Sequence, residues 1–293
     1  MVATSLPDNG GIHPPPLDTA MPIPVSATVI TFNEADRIGH CLASLAFCDE
    51  IVVVDSGSTD ATRDIAAAAG ARVLERPFDG FRSQKQFAVE QAQHDWVLCL
   101  DADERVTPGL ATSIQAARTG GFRDTAGYRF ARCSEYFGRF LRHGNAYPDR
   151  KLRLFDRRRG GWRGDREIHE TASVDGPVHT LEGDLLHLPF RSFEHQLAKG
   201  RQYAQMMAVH AHARGQRASL AKLVLAPWWR FWRGWLLRGG FRDGWAGLVY
   251  AYVTADTARQ KTVRLWLLQH GLSGPSAPSS PARDGSAGPG TGR

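Results

Sequence analysis

The chain has 293 residues, of which 42% are hydrophobic, and a formal net charge of +6 at pH 7. This size allows one buried α/β core plus an appendage. The sequence contains no apolar stretch of about 20 residues, the length that a membrane-spanning helix needs. It also shows no DNA-binding or RNA-binding module, so the basic charge favours an anionic acceptor or lipid surface over nucleic acid.

The N-terminal residues 1–24 are rich in proline and lack the basic segment and apolar core of a secretory signal. We predict that they form a disordered arm on a cytoplasmic protein. The four cysteines lie in or beside apolar segments without C-x-x-C spacing, which favours reduced, packed thiols. The histidines, among them His179, His187 and His195, show no zinc-site spacing and are interpreted as surface or core residues.

Three apolar runs, residues 25–32, 51–54 and 96–100, each end in polar side chains. Runs without polar alternation are typical of parallel strands that are covered on both faces. Ligands bind outside the carboxyl ends of such strands. We therefore expect the polar residues after the three runs to line one crevice.

Helical patterns separate these runs. They cover residues 36–47, a segment from a cap at Thr59 or Asp60 to Ala69, residues 84–92, and a helix opened by Thr107-Pro108. The alternation of strands and helices predicts a doubly wound, mostly parallel sheet. No glycine follows the first strand before Gly39, which disfavours both the dinucleotide-binding fingerprint and the phosphate-binding P-loop.

Asp101-Ala102-Asp103 directly follows the third apolar run. Two carboxylates one residue apart at a strand end can hold a divalent cation against a diphosphate, because Mg²⁺ and Mn²⁺ prefer hard oxygen ligands. A solvated turn is the alternative interpretation of the triplet taken alone. Its position after a buried strand favours nucleotide-sugar chemistry.

Three motifs in this order resemble the signatures of glycosyltransferase family 2, whose members have a GT-A-type fold. They are Thr31–Glu34, Val53–Asp60 and Leu100–Glu104. Three further segments resemble the branch that contains bacterial lipopolysaccharide core glucosyltransferases acting on heptose: Phe81–Gln86, Arg150–Phe155 and Ile168–Glu170. The resemblance spans about residues 25–190, which we take as a GT-A-type domain.

The resemblance implies roles in donor binding for several residues. Asp55 is expected to accept a hydrogen bond from the uracil imide, and Glu34 to face the base or the ribose. Lys85 and Arg82 are expected to meet the diphosphate as cationic donors. Glu34 and Asp60 also fit ordinary acids at helix starts.

The resemblance places Asp101 near the ribose and the metal, and makes Asp103 the direct ligand of Mg²⁺ or Mn²⁺. Inverting transfer needs a carboxylate that takes the proton of the acceptor hydroxyl. Glu170 occupies the position of the base in relatives, with Glu167 and Asp165 as rivals. His169 is a metal ligand, a leaving-group contact or a structural residue.

The C-terminal part, residues 191–270, is predicted to be a helical membrane-proximal extension, followed by a disordered tail over residues 271–293. Within it, residues 227–238 place Trp228, Trp229 and four other apolar residues on one helical face and three arginines opposite. This composition is typical of a helix that lies on an anionic membrane. The alternative is that the aromatic face docks on the protein's own domain or on a second subunit. A helical segment over residues 245–264 is predicted to pair with it.

These observations together predict a metal-dependent, inverting glycosyltransferase on the cytoplasmic face of the inner membrane. Its donor would be a nucleoside diphosphate sugar, most simply a UDP-hexose such as UDP-glucose. Its acceptor would be a glycan or lipid-linked molecule of the lipopolysaccharide core or another envelope glycan. Two alternatives remain: a nucleotidyltransferase that makes a nucleotide sugar, and a non-catalytic membrane adaptor on a degenerate transferase fold.

Overall fold

A computed structural model describes residues 21–162 and 171–272 of the chain. The predicted arm at residues 1–24 and the predicted tail at residues 271–293 fall almost entirely outside these ranges. The strands are β1 (Val25–Thr31), β2 (Glu50–Asp55), β3 (Arg72–Glu75), β4 (Trp96–Asp101), β5 (Glu104–Val106), β6 (Gly127–Tyr136), β7 (Arg139–Phe140), β8 (Asp149–Asp156), β9 (Gly160–Gly161), β10 (Ser173–Val174) and β11 (Val178–His187). The helices are α1 (Ile38–Ala43), α2 (Thr62–Ala68), α3 (Phe81–Gln91), α4 (Pro108–Thr119), α5 (Phe193–Ala213), α6 (Leu220–Trp232) and α7 (Gly244–Gln269).

The first half of the main sheet is parallel. Strands β3, β2, β1 and β4 lie side by side in that order, and every residue of β1 is buried. The three predicted strands are thus confirmed. Because Thr31 pairs with Asp55 and Ile30 with Asp101, the polar residues after β1, β2 and β4 emerge at one edge of the sheet.

The second half of the sheet is mixed. Beyond β4 the order continues β8, β6, β11 and β5, with β8 antiparallel to both neighbours and β11 parallel to β6. The short strand β5, which follows the Asp101–Asp103 turn, pairs antiparallel with the end of β11, so that Glu104 lies opposite His187. The predicted α/β fold is confirmed, and most of its parallel strand pairs lie in the N-terminal half of the sheet.

The helices next to the sheet follow the predicted positions with shifted ends. Helix α4 begins as predicted, because the Thr107 hydroxyl accepts the N–H of Leu110 at 3.3 Å. Helix α1 is shorter than the predicted 36–47, and α2 begins only at Thr62. The main core lies between the sheet and α1 and α4, and it contains Val29, Leu42, Leu98, Leu110, Ile114, Phe130, Leu154 and Leu185.

The C-terminal helices form a unit that docks on the sheet domain. Helix α7 packs against both α5 and α6, as the predicted helical pair requires. Its docking contacts include a cluster with Tyr136, Leu141 and Ala246, and the Asp243 carboxylate, 2.7 Å from His143 Nδ1. None of the helices in residues 21–162 and 171–272 combines the length and apolar character that crossing a bilayer demands.

Helix α6 differs from the predicted segment 227–238. It begins seven residues earlier than that segment, at Leu220 after a Ser219 cap, and keeps Pro227 in its interior. The chain then makes a π-helical turn over Arg233–Leu237 and leaves the helix at Gly239, whose φ is 70°. The Ser219 cap, whose hydroxyl accepts the N–H of Lys222, explains the early start.

Candidate active site

The loop after β1 carries Asn33 and Glu34 and is held by the C-terminal part of the chain. The Arg191 guanidinium donates to the Asn33 carbonyl at 2.8 Å, to Glu34 at 2.9 Å and to Asp36 at 2.9 Å. Burial raises the pKa of Glu34, although Arg191 and Arg37 oppose that shift. A contact between Glu34 and a base or ribose stays a prediction.

The loop after β2 is organised around Asp55. Its carboxylate is fully buried and accepts the N–H groups of Gly57 at 3.0 Å and Ser58 at 2.7 Å, as well as the Ser58 hydroxyl. Gly57 has a φ of 89°, which allows the loop to fold back over the carboxylate. In this conformation Asp55 shapes the loop and is inaccessible to a base, so the predicted contact with uracil requires the loop to open.

Asp101, the first acid of the D-x-D triplet, is neutralised by two cations. Lys85 Nζ lies 3.0 Å from one carboxylate oxygen, and Arg153 Nη2 lies 3.0 Å from the other. Burial opposes ionisation, yet these cations hold the pKa of Asp101 well below its ordinary range. Its predicted role as a metal ligand stays a prediction, and both of its oxygens are engaged by cations here.

Asp103, the second acid, is in a different environment. Burial and the neighbouring charges of Asp101 and Glu104 raise its pKa to about 7. His187 Nε2 lies 3.6 Å from its carboxylate. Burial, and then the charge of Arg132, keep the pKa of His187 well below its ordinary value, so the imidazole is neutral and can act as a ligand.

The sequence interpretation of His187 as a surface or core residue did not bring it to the site, whereas the structure places it beside Asp103. The side chain faces Asp103, and its other nitrogen, Nδ1, is 3.0 Å from the Ser134 hydroxyl. A hydrogen bond of this kind fixes the ring orientation of a metal-ligating histidine. The only sequence signal for His187 was its position at the end of a strand. Recognising it as a site residue required knowing that β11 pairs with β5.

An alternating series of ion pairs connects α3 to the far part of the sheet, and we call it the charge chain. It runs Lys85, Asp101, Arg153, Glu104, Arg132, Asp149, Lys151. Its six contacts measure 3.0, 3.0, 2.8, 3.3, 2.7 and 3.0 Å in that order. The sequence analysis included the segment that contains Arg153 but missed Arg132 and Asp149. Ion pairs between strands that are far apart in the sequence depend on the register in which those strands pair.

A cleft of about 430 Å³ opens along this chain. Its lining residues are Lys85, Asp101, Arg132, Lys151, Leu152, Arg153, Trp162, Thr171, Ala172 and Tyr203. Trp162 forms part of the wall, with Lys85 Nζ 4.8 Å and the Arg153 guanidinium 5.5 Å from its ring centre. The wall is therefore mainly cationic and aromatic, which suits anionic ligands.

The other predicted site residues fall in two groups. Arg82 lies exposed in the first turn of α3, one turn before the buried Lys85. The candidate base Glu170, its rivals Glu167 and Asp165, and His169 lie outside the described residues. Trp162 and Thr171, which flank that segment on either side, both line the cleft.

Comparison with known proteins gives several similarities. The sequence profile described as "Glycosyl transferase family 2" matches residues 26–173. The lipopolysaccharide core biosynthesis glycosyltransferase LpsC of Rhizobium meliloti is 32% identical over 252 residues, which cover 82% of this chain and 93% of LpsC. The glycosyltransferase RP128 of Rickettsia prowazekii is 29% identical over 241 residues, which cover 79% of this chain and 82% of that protein.

Two solved structures are similar at lower identity. Glucosyl-3-phosphoglycerate synthase from Mycobacterium tuberculosis, in complex with phosphoglyceric acid, has a TM-score of 0.45 at 18% identity, covering 67% of this chain and 82% of that one. The structure of Staphylococcus aureus TarS residues 1–349 has a TM-score of 0.44 at 16% identity, covering 85% of this chain and 92% of that one.

Proposed function

The chain belongs to glycosyltransferase family 2, and on that premise we propose that it transfers a hexose, most simply glucose, from a UDP-sugar to an acceptor hydroxyl with inversion. The observation that carries this proposal is the pair formed by Asp103 and His187, an acid and a neutral imidazole 3.6 Å apart at the carboxyl edge of the parallel strands. This is the edge where ligands of open α/β sheets bind.

The donor set of this pair fits a divalent cation. A carboxylate oxygen of Asp103 and Nε2 of His187 would hold Mg²⁺ or Mn²⁺, with further ligands from diphosphate oxygens, water or residues outside the described ranges. No cluster of three or more metal-binding side chains occurs among residues 21–162 and 171–272. When bound, such a cation supplies positive charge that stabilises the departing diphosphate.

The chain's own cations support the same chemistry. Lys85 is buried beside Asp101 and can contribute charge to the diphosphate once the donor enters. Arg82, on the first turn of α3, is proposed as a second diphosphate contact. Glu34, whose pKa is raised by burial, remains the proposed contact to the base or ribose.

The acceptor hydroxyl must lose its proton as it attacks the anomeric carbon. We assign this role to Glu170, with Glu167 and Asp165 as rivals, and all three lie outside the described residues. The support is the position of the segment, since its flanking residues Trp162 and Thr171 line the cleft beside Lys85 and Asp101.

The acceptor is proposed to be a glycan or lipid-linked molecule of the lipopolysaccharide core or another envelope glycan. The similarity to LpsC over most of both chains supports this assignment. Family membership removes the reason to consider a nucleotidyltransferase. The non-catalytic adaptor alternative would be supported by a purified protein that binds UDP but transfers no sugar.

The C-terminal helices are proposed to hold the enzyme on the cytoplasmic face of a membrane. Helix α6 has no buried residue, and Trp228 and Trp229 are 63% and 61% exposed. Other exposed apolar side chains continue the surface: Leu220, Val224, Leu225, Trp232, Leu236, Leu237, Phe241 and Trp245. Within the described residues this surface does not dock on the protein's own domain. Indoles of this kind insert at headgroup depth, and the arginines of the same segment attract anionic lipid.

A transfer assay tests the activity. The purified full chain, with Mn²⁺ and each of several UDP-hexoses, is incubated with deep-core lipopolysaccharide from a strain that lacks the enzyme, and UDP release and product mass are measured. We expect acceptor-dependent UDP release with one hexose and an inverted linkage. Absence of acceptor-dependent release with every UDP-hexose would overturn the proposed donor class.

A vesicle assay tests the membrane proposal. The double variant Trp228→Ser/Trp229→Ser is expected to lose binding to vesicles rich in anionic lipid, while Val209→Ser, a control on α5 that is 45% exposed, keeps it. High salt should weaken wild-type binding only in part, because indole burial is not screened. Equal binding by the double variant would contradict the proposal, and loss of a concentration-dependent dimer instead would identify a second subunit as the occupant.

A further inference from the structure

The charge chain is asymmetric with respect to the cleft. All four of its cations line the cleft, but of its three acids only Asp101 does so. Glu104 is fully buried, and Asp149, whose side chain is 34% exposed, is not among the residues that line the cleft. The charged side chains that line the cleft are therefore mainly positive.

The chain also carries an excess charge. Four cations alternate with three carboxylates, so that one positive charge is left over when all seven groups are ionised. The pKa of Asp149 is lowered, because Arg132 and Lys151 outweigh the effect of its burial.

Of the four cations of the charge chain, Lys151 is the most accessible. The Lys151 side chain is 35% exposed, whereas those of Lys85 and Arg153 are 10% and 5% exposed. Each oxygen of Asp149 serves one neighbour, Arg132 at 2.7 Å and Lys151 at 3.0 Å, which fixes both cations side by side. Tyr203 of α5 lines the same cleft.

We propose that Lys151, together with Arg132 and Tyr203 of the same cleft lining, forms a binding site for a phosphate group carried by the acceptor. This inference rests on the proposed function, and it names a chemical feature of the acceptor that the family alone does not specify. A phosphate carries nearly two negative charges and several acceptor oxygens, so it matches adjacent ammonium, guanidinium and phenol groups.

The position of Lys151 distinguishes this site from the one for the donor diphosphate. Lys151 lies on β8, opposite Phe130 of β6, in the mixed half of the sheet. The donor is expected at the ends of β1, β2 and β4, where Lys85 and Asp101 form the other end of the charge chain. Five further charged groups separate the two lysines along that chain, so an acceptor phosphate at Lys151 leaves the donor end free.

Titration of inorganic phosphate into the full chain, at constant ionic strength and with saturating UDP and Mn²⁺, tests the proposal. We expect saturable phosphate binding, about a tenfold loss of affinity in Lys151→Gln, as for one charge-assisted hydrogen bond, and recovery in Lys151→Arg. The matched control is Arg150→Gln, which removes an adjacent, exposed cation outside the cleft lining and should change the affinity less than about twofold.

Three results would overturn the proposal: no saturable phosphate binding by wild type, equal losses in Lys151→Gln and Arg150→Gln, or phosphate binding that appears only when UDP is left out. UDP titrations of the same proteins keep the two proposals apart. UDP affinity unchanged in Lys151→Gln shows that the variant is folded. Failure of wild type to bind UDP would overturn the proposed function. The phosphate site would still be tested by comparing phosphate affinity between wild type and the Lys151 and Arg150 variants.

Discussion

The loops after β2 and β4 both follow a buried strand that ends in an aspartate, but Asp55 after β2 and Asp103, two residues beyond the end of β4, lie in opposite environments. After β2, Asp55 is enclosed by its own loop and accepts two backbone N–H groups and a hydroxyl. After β4, Asp103 has an acidic neighbourhood, a pKa raised to about 7, and a neutral histidine opposite.

The contrast between Asp55 and Asp103 shows how the environment of a buried carboxylate distinguishes a structural acid from a reactive one. An acid whose oxygens accept local N–H groups stabilises the loop that surrounds it. An acid that burial and like charges hold near neutrality is in an unfavourable state, which a bound cation would relieve. Each of the following predictions tests one side of this contrast.

The largest expected effect is on transfer by Asp103→Asn. Removing the carboxylate that is proposed to hold the cation should lower turnover by about 10²-fold or more, the scale for loss of a preorganised electrostatic group. Excess EDTA should have a similar effect on wild type. The control is Asp95→Asn, at an acid 47% exposed and paired with Arg158, which should transfer sugar normally. Near wild-type transfer by Asp103→Asn would remove Asp103 from the metal site.

The next effect is on stability, in Asp55→Ala. Loss of the buried carboxylate leaves the N–H groups of Gly57 and Ser58 without their acceptor, so the free energy of unfolding in urea should fall by about 2 kcal/mol. Donor affinity should fall only to the extent that the loop is disturbed. Unchanged stability with a raised donor KM would instead support the contact with uracil that the family resemblance implies.

A smaller effect is expected from Ser134→Ala. The Ser134 hydroxyl orients His187 through Nδ1, and loss of such a partner typically lowers metal affinity by at least about tenfold. Titration of Mn²⁺ into wild type and the variant, followed by water-proton relaxation, measures this change. If affinity is the same in both, His187 is not a ligand and the structure's pairing of it with Asp103 is incidental.

The last prediction concerns how the stability of the metal-free protein depends on pH. Asp103 has a pKa of about 7 in the folded state and an ordinary value of 3.8. Between these values the folded protein keeps a proton that the unfolded chain has lost, so stability falls as pH rises from about 4 to 7. The slope is at most about 1.4 kcal/mol per pH unit. Denaturant titrations in EDTA should show that Asp103→Asn lacks this contribution, and an identical profile in both proteins would contradict it.

Sequence reasoning predicted the parallel half of the sheet well and the mixed half poorly, for a physical reason. Apolar runs such as β1 and β4 define buried strands without knowledge of their partners. Strands β6 and β11 have intermediate or exposed positions, and their place depends on pairing between residues that are some 50 positions apart.

The same reason governs the site. The D-x-D triplet is local, and both acids do lie at the sheet edge as predicted. His187, Arg132 and Asp149 reach it only through the register of β11, β6 and β8. Burial also decides which acid is accessible to a ligand. For Asp55, no local sequence pattern indicated that its own loop would enclose the carboxylate.

Arg191 has a consequence for how the molecule can be divided. The predicted boundary between the transferase domain and the helical extension is near residue 190, yet Arg191 makes three contacts with the loop after β1. Gln196 of α5 likewise accepts the Tyr136 hydroxyl at 3.0 Å. A chimera that joined residues 25–190 to another protein's membrane anchor would remove Arg191 and leave Glu34 and Asp36 with only the longer contacts to Arg37, at 3.5 and 3.7 Å. The extension thus helps to hold the loop after β1, and exchanging it by recombination would require a replacement that brings its own arginine to the same place.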